Sequence, residues 1–172
     1  MKGAVIKRMV LDASVAVAWC FEDESSDFTE GVLDLLASGT EALAPAIWPL
    51  ELVNALLMAE RRKRISVAQV TALLRRIAGL PISVDPTRLG HAFDQIPSVA
   101  RQQNLTAYDA AYVELALRAA LPLATLDSRL RQNTPGFANA QRQRKKVEAL
   151  FAELKNQIGL RRLRLRRLKV CS

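Results

Sequence analysis

The sequence predicts an α/β fold: a short, mostly parallel sheet flanked by helices. Three observations carry this. Short apolar runs alternate with helix-length amphipathic stretches through residues 8–130. Cap and turn residues separate the two kinds of segment. Two of the apolar runs end in an aspartate, at Asp12 and Asp127, where α/β sheets place their ligands.

The first strand is predicted over Arg8–Asp12, a short apolar run with β-branched Val10 at its centre and charge only at its ends. Ser14 is the candidate cap of a helix over Val15–Phe21. Residues 22–27 form a polar break, and Phe28, Val32, Leu35 and Leu36 then recur at helical spacing. Ala42–Ala44 predicts a short strand ended by Pro45. Ile47–Lys63 predicts a helix whose basic end, Arg61, Arg62, Lys63 and Arg64, suits a C-terminus. Ser66 caps a helix that runs through Ala78 and stops at Gly79. Pro81–Asp85 is the third strand. Pro86 opens a helix through about Ala92, Pro97 interrupts the next stretch, and Ser98–Asn104 adds a further helical turn or two. Thr106 caps Ala107–Ala120, and Leu121–Leu126 is the fourth strand. No repeat is visible.

The chain has 172 residues, half of them hydrophobic, which is one domain's worth with ample core. No uncharged apolar run is long enough to span a bilayer, and the N-terminus lacks the apolar length of a signal peptide. Cys20 and Cys171 have no metal or redox spacing, so free thiols in a reducing cytoplasm are expected. The net charge of +8 is unevenly spread. Residues 1–130 carry 13 Lys/Arg against 15 Asp/Glu, and residues 131–172 carry 12 against 2. A mildly acidic body over 1–130 is therefore followed by a basic tail over 131–172.

Four separated carboxylates stand out: Asp12 and Asp127 after strands, Asp109 in the first turn of a helix, and Glu51 early in another. Such placements converge on one sheet edge. Like charges held together destabilise a fold unless a cation sits among them, and an all-oxygen donor set suits Mg²⁺ or Mn²⁺. Histidine occurs once, at His91, which makes metal-activated water a better expectation than a histidine base. Neither a P-loop nor Gly-x-Gly-x-x-Gly is present. An aspartyl-phosphate phosphatase is discounted because Ser14 stands where the second Asp of Asp-x-Asp would be.

Four blocks together resemble the PIN-domain toxins called VapC. They are Leu11-Asp-Ala-Ser-Val15, Pro49-Leu-Glu-Leu-Val-Asn-Ala-Leu56, Leu105-Thr-Ala-Tyr-Asp-Ala-Ala-Tyr-Val-Glu-Leu-Ala116 and Leu123-Ala-Thr-Leu-Asp-Ser-Arg-Leu130. The resemblance covers roughly residues 8–130, so 1–130 is expected to be a PIN-like nuclease domain. It implies a cytoplasmic, homodimeric, Mg²⁺- or Mn²⁺-dependent endoribonuclease that leaves 5′-phosphate and 3′-hydroxyl ends and is neutralised by a VapB-like antitoxin. It implies that Asp12, Glu51, Asp109 and Asp127 are the catalytic and metal-binding acids, with Asn54, Thr106 and Thr125 in support.

Each residue has a plainer alternative. Asp12 and Asp127 could simply cap the segments after them, and Glu51 could pair with Arg61 or Arg62. Asp109 is favourable in a first helical turn by the helix dipole alone. Tyr108 and Tyr112 read as packing residues. Asp85, Asp94 and Glu114 read as solvated surface, and His91 as an ordinary helix-surface residue. Trp19, Phe21, Phe28 and Trp48 are core candidates, some of them open to an antitoxin or dimer contact.

Beyond Leu130 the pattern departs from the family. Residues 144–168 look like the C-terminal part of a DDE-type insertion-sequence transposase, with Glu148 at the position of the third acid. The preceding transposase acids are absent, so Glu148 is assigned no catalysis. A mobile element that replaced the end of a toxin reading frame would explain the charge shift. Val147, Leu150, Phe151, Leu154 and Ile158 form an amphipathic stripe. Two other functions are open: a catalytically impaired PIN module that still binds antitoxin, or a nucleic-acid-binding protein acting through its tail. In the last case, deletion of 131–172 abolishes binding to a fluorescent duplex, and the intact chain shows a steep loss of affinity with salt.

Overall fold

The structure, a computed structural model, describes residues 7–133. It contains a four-stranded, fully parallel sheet with the order β3-β2-β1-β4, formed by β1 (Arg8–Leu11), β2 (Glu41–Pro45), β3 (Ile82–Asp85) and β4 (Leu123–Ala124). In register, Val10 lies opposite Leu43 on one side and Leu123 on the other, Leu11 lies opposite Ala124, and Pro45 lies opposite Asp85. Neighbouring side chains on a strand point to opposite faces. Val10 and Leu11 are both fully buried, so the sheet is covered on both faces at β1.

Parallel strands require crossovers, and helices supply them. They are α1 (Ala13–Ala18) and α2 (Asp27–Ala37) between β1 and β2, and α3 (Trp48–Arg61) and α4 (Val67–Ala78) between β2 and β3. The helical run that ends in α5 (Ile96–Gln103), then α6 (Ala107–Ala119), lies between β3 and β4, and α7 (Ser128–Asn133) comes last. The chain steps outward from β1 to β3, then returns to place β4 on the far side of β1. That reversal opens a crevice at the carboxyl ends of β1 and β4.

The helix starts are chemically marked. α2 and α4 each begin with a capping box, Ser26 with Thr29 and Ser66 with Gln69. The Thr106 hydroxyl accepts the Asp109 N–H at α6. The expected helix from Ser66 to Ala78 with Gly79 as its end is therefore observed.

Several local expectations are corrected. Asp12, not Ser14, caps α1, because its side chain reaches the Ser14 N–H directly after the strand. The fourth strand shrinks to Leu123–Ala124. Pro122 has no N–H for the ladder, although its carbonyl still accepts from Val10 at 2.8 Å. Pro97 does not interrupt the helical run. A π turn over His91–Gln95 precedes it, with the Ile96 N–H reaching back to His91 O, and this wider turn accommodates the ring. Phe28 is exposed, whereas Phe21 and Trp48 are buried and Trp19 donates to Thr29 O at 2.7 Å. Burial, helped by Glu24, pushes the Cys20 thiol up to about 11, so it is a packing residue and a poor nucleophile.

Glu114 is buried rather than solvated, and Asp85 is half-buried and paired. α6 is buried nearly all round, so Glu114, 7% exposed, needs an internal partner. Arg118 provides it, with Nε 2.8 Å from Glu114 Oε1 and Nη2 2.7 Å from Asp85 Oδ2. His91 Nδ1 lies 3.5 Å from the same Glu114 oxygen, which places the ring beside this cluster. The tail features expected beyond Asn133, including Glu148 and the stripe from Val147 to Ile158, lie outside the described residues.

Leu56 is fully buried in the main cluster, among side chains of the sheet, α1 and α3. Leu56→Ala is expected to cost about 2–5 kcal/mol of stability, read as a lower denaturant midpoint at unchanged slope.

Candidate functional site

The crevice between β1 and β4 is built around Asp12. This carboxylate is 7% exposed and is satisfied by neighbours on both strands' ends. Its Oδ1 accepts the Ser14 N–H at 3.2 Å, and its Oδ2 accepts the Ser14 hydroxyl at 2.9 Å and the Thr125 hydroxyl at 2.5 Å. The same two hydroxyls accept backbone N–H groups: Ser14 Oγ from Leu126 across the crevice at 3.1 Å, and Thr125 Oγ1 from Asp127 within the same segment at 3.0 Å. Asp12 thus caps α1 and anchors the crevice at once. Ser14 is legible in sequence only as a cap candidate. Its bond to Leu126, 112 residues away, has no local signal.

Glu51 lies in the first turn of α3, behind Trp48 and Pro49, and is half-buried. It does not pair with Arg61 or Arg62. Its Oε2 instead accepts the hydroxyl of Tyr112, a residue of α6 that is 1% exposed. Burial pushes the Glu51 carboxyl up. The Tyr112 hydrogen bond pulls it down, the charges of Asp12 and Asp109 push it up again, and the net direction is upward. Burial, followed by the contact with Glu51, also pushes the Tyr112 phenol up. The sequence reads Tyr112 as packing alone, and nothing local to it shows the link to α3.

Asp109 sits half-buried in the first turn of α6, where its N–H donates to the capping Thr106 at 3.1 Å. A carboxylate is favoured there by the helix dipole. Glu51 is therefore near enough to both Asp12 and Asp109 to be repelled by their charges. Among the described residues, no Lys or Arg forms an ion pair with any of the three. Asn54 lies one turn beyond Glu51 and is exposed.

Asp127 is turned elsewhere. Its Oδ1 accepts the Arg129 N–H at 2.7 Å and its Oδ2 lies 3.4 Å from the Arg129 guanidinium. Burial alone would raise this carboxyl, but the N–H and guanidinium of Arg129 outweigh it and hold it below the ordinary value. It caps the start of α7 in doing so.

Among the described residues, no three Asp, Glu, His or Cys side chains stand close enough to hold one ion by themselves. Mg²⁺ retains several waters and uses only one or two carboxylates directly. An uncompensated set of hard oxygen donors such as Asp12, Glu51 and Asp109 fits that chemistry.

The PIN domain family model matches residues 9–134. The chain belongs to the PIN-domain family. It is 34% identical over 129 residues to Ribonuclease VapC3 of Mycobacterium tuberculosis, in two strains, across 75% of this chain and 89% of that protein. Its fold resembles the crystal structure of PAE2754 from Pyrobaculum aerophilum, with a TM-score of 0.63 and 22% identity, over 91% of this chain and all of that one. The PIN and VapC resemblance drawn from the four sequence blocks is borne out, as is the flanked parallel sheet.

The raised Glu51 carboxyl has a consequence for stability. A folded-state value above the ordinary 4.5 means that folding favours the protonated form. That contribution is fully present below pH 4.5 and is lost as pH rises through the folded value. Glu51→Gln is therefore expected to raise the melting temperature of the metal-free protein at about pH 7 and to lessen the loss of stability as pH rises above 4.5. Calorimetry in EDTA checks this, and an unchanged or lower melting temperature at neutral pH would contradict it.

Proposed function

We propose that this PIN-domain protein is a divalent-metal-dependent endoribonuclease and the toxin of a toxin–antitoxin pair. The observation that supports the reading is Glu51 lying within reach of the charges of both Asp12 and Asp109, none of the three with a cationic partner among the described residues, by the switch point of a parallel sheet. The similarity to Ribonuclease VapC3 supports RNA as the substrate.

In this reading Asp12, Glu51 and Asp109 hold Mg²⁺ or Mn²⁺, and Asp127 joins them by exchanging Arg129 for the cation. The cation, when bound, lowers the pKa of a water and offsets charge on the phosphodiester in the transition state. The chain's own residues prepare the place. Ser14 and Thr125 orient the Asp12 carboxylate through three hydrogen bonds. Thr106 fixes the start of the helix that carries Asp109. Asn54, exposed beside Glu51 on α3, is available to substrate. We assign 1–130 to the nuclease domain and 131–172 to a basic appendage of transposase-like sequence. A VapB-like antitoxin, a homodimeric state and a cytoplasmic setting belong to the same proposal.

One observation favours a second reading, an impaired module that still binds antitoxin. Arg129 occupies the fourth acid, Asp127.

Purified protein incubated with total RNA in Mg²⁺ or Mn²⁺ is expected to give discrete fragments with 5′-phosphate ends, and none in EDTA. Asp12→Asn is expected to lower the cleavage rate by about 100-fold or more, since even loss of a residue that merely supports a ligand costs about 10–100-fold. Gel analysis of end-labelled RNA reads both. No cleavage by folded wild-type protein would shift the reading to the impaired module.

A further inference from the structure

α6 contributes more to the site than its one acid. Asp109 and Tyr112 are three residues apart on this helix and so share a face. Asp109 is in the first turn. Tyr112 comes one turn later, with its ring buried and its hydroxyl donated to Glu51 of α3. The helix that supplies one acid therefore also grips a second acid from a different element.

The grip has a definite opponent. An ionised Glu51 is repelled by Asp12 and Asp109. Its side chain is long, half-buried and in the first turn of a helix, so rotation towards solvent would relieve the repulsion. Among the described residues, no Lys or Arg pairs with it. The Tyr112 hydroxyl opposes that rotation with a hydrogen bond to a charged acceptor, the stronger class of such bonds.

We propose that Tyr112 is a positioning residue of the acidic site, whose phenol holds the Glu51 carboxylate facing Asp12 and Asp109 so that the site is assembled before a cation binds. This rests on the reading of those acids as a divalent-cation site. A tyrosine kept only for its ring would be served equally well by phenylalanine. A tyrosine kept for its hydroxyl would not.

The test is a double-mutant cycle on the full chain, using Mn²⁺ alone as the probe and its free-ion EPR signal as the readout. Tyr112→Phe is expected to weaken Mn²⁺ binding about 10–100-fold, the range for loss of a residue that orients a metal ligand. In a Glu51→Gln background the same change is expected to have no further effect, because the carboxylate it positions is gone. Tyr108→Phe, at an exposed tyrosine one residue before Asp109, should leave affinity unchanged. In RNA cleavage, Tyr112→Phe should lower kcat at limiting Mn²⁺, recover towards wild type as Mn²⁺ is raised, and leave KM for RNA unaltered.

Tyr112→Phe affinity within twofold of wild type would overturn the proposal, as would an equal loss in the Glu51→Gln background, which is the mark of a packing role. Wild-type protein that binds no Mn²⁺ would overturn the cation-site reading and this proposal with it. Should Tyr112→Phe lose its fold, 3-fluorotyrosine in the wild-type sequence gives two ¹⁹F signals, from Tyr108 and Tyr112. The Tyr112 signal is expected to shift on addition of Mg²⁺ with Glu51 intact and not in Glu51→Gln, and a signal that stays still in both would overturn the proposal.

Discussion

A carboxylate buried at the end of a central strand has to be hydrogen-bonded, and the bonds that satisfy Asp12 are the constraint on which this structure turns. Burying a charged group without partners costs several kcal/mol. Asp12 meets that cost with Ser14 and Thr125, whose hydroxyls are themselves occupied by the N–H groups of Leu126 and Asp127. The network closes the β1–β4 crevice, starts α1 and aims the carboxylate in one stroke. β4 makes only two residues of ladder with β1, so these side-chain bonds carry much of the attachment at this end of the sheet.

Glu51 behaves in the opposite way. It is placed where burial and the charges of Asp12 and Asp109 disfavour its ionised form. Elsewhere the chain does not tolerate this. Glu114, as deeply buried as Asp12, is paired with Arg118, which also neutralises Asp85, and Asp127 is matched by Arg129. On the proposed reading, the contrast between neutralised acids and unneutralised ones separates residues that hold the fold together from residues kept for a ligand. It also sets Asp127 apart from the three acids with which the sequence grouped it.

α6 shows how one helix serves both purposes. Its N-terminal turn, opened by Thr106, presents Asp109, and its middle buries Tyr112 against Glu51. Further along, Glu114 and Arg118 lock it to the end of β3. A shift of this helix would move an acid, the hydroxyl that holds another acid, and the tie to the edge strand together. The parallel sheet gives it a rigid base, since β1 is buried on both faces.

Much of this was legible in the chain because it is local. The strand at Arg8–Leu11 reflects the apolar run Met9–Leu11, α4 reflects Ser66, Gln69 and Gly79, and the start of α6 reflects Thr106. Asp12 and Asp109 are marked by where such elements begin and end, and four ordered blocks sufficed to place the chain among PIN domains. The misread features depend on residues far apart in sequence. Tyr112 and Glu51 are 61 positions apart, Arg118 and Asp85 are 33 apart, and Ser14 and Leu126 are 112 apart. Cap chemistry, hydrophobic period and donor type reside in neighbouring residues, so the sequence alone determined the elements, the fold class and which acids were candidates. Which acid faces a hydroxyl, which faces a guanidinium and which faces only other acids was decided by the tertiary structure, because a pairing exists only once the crossovers bring distant helices to the same strand ends.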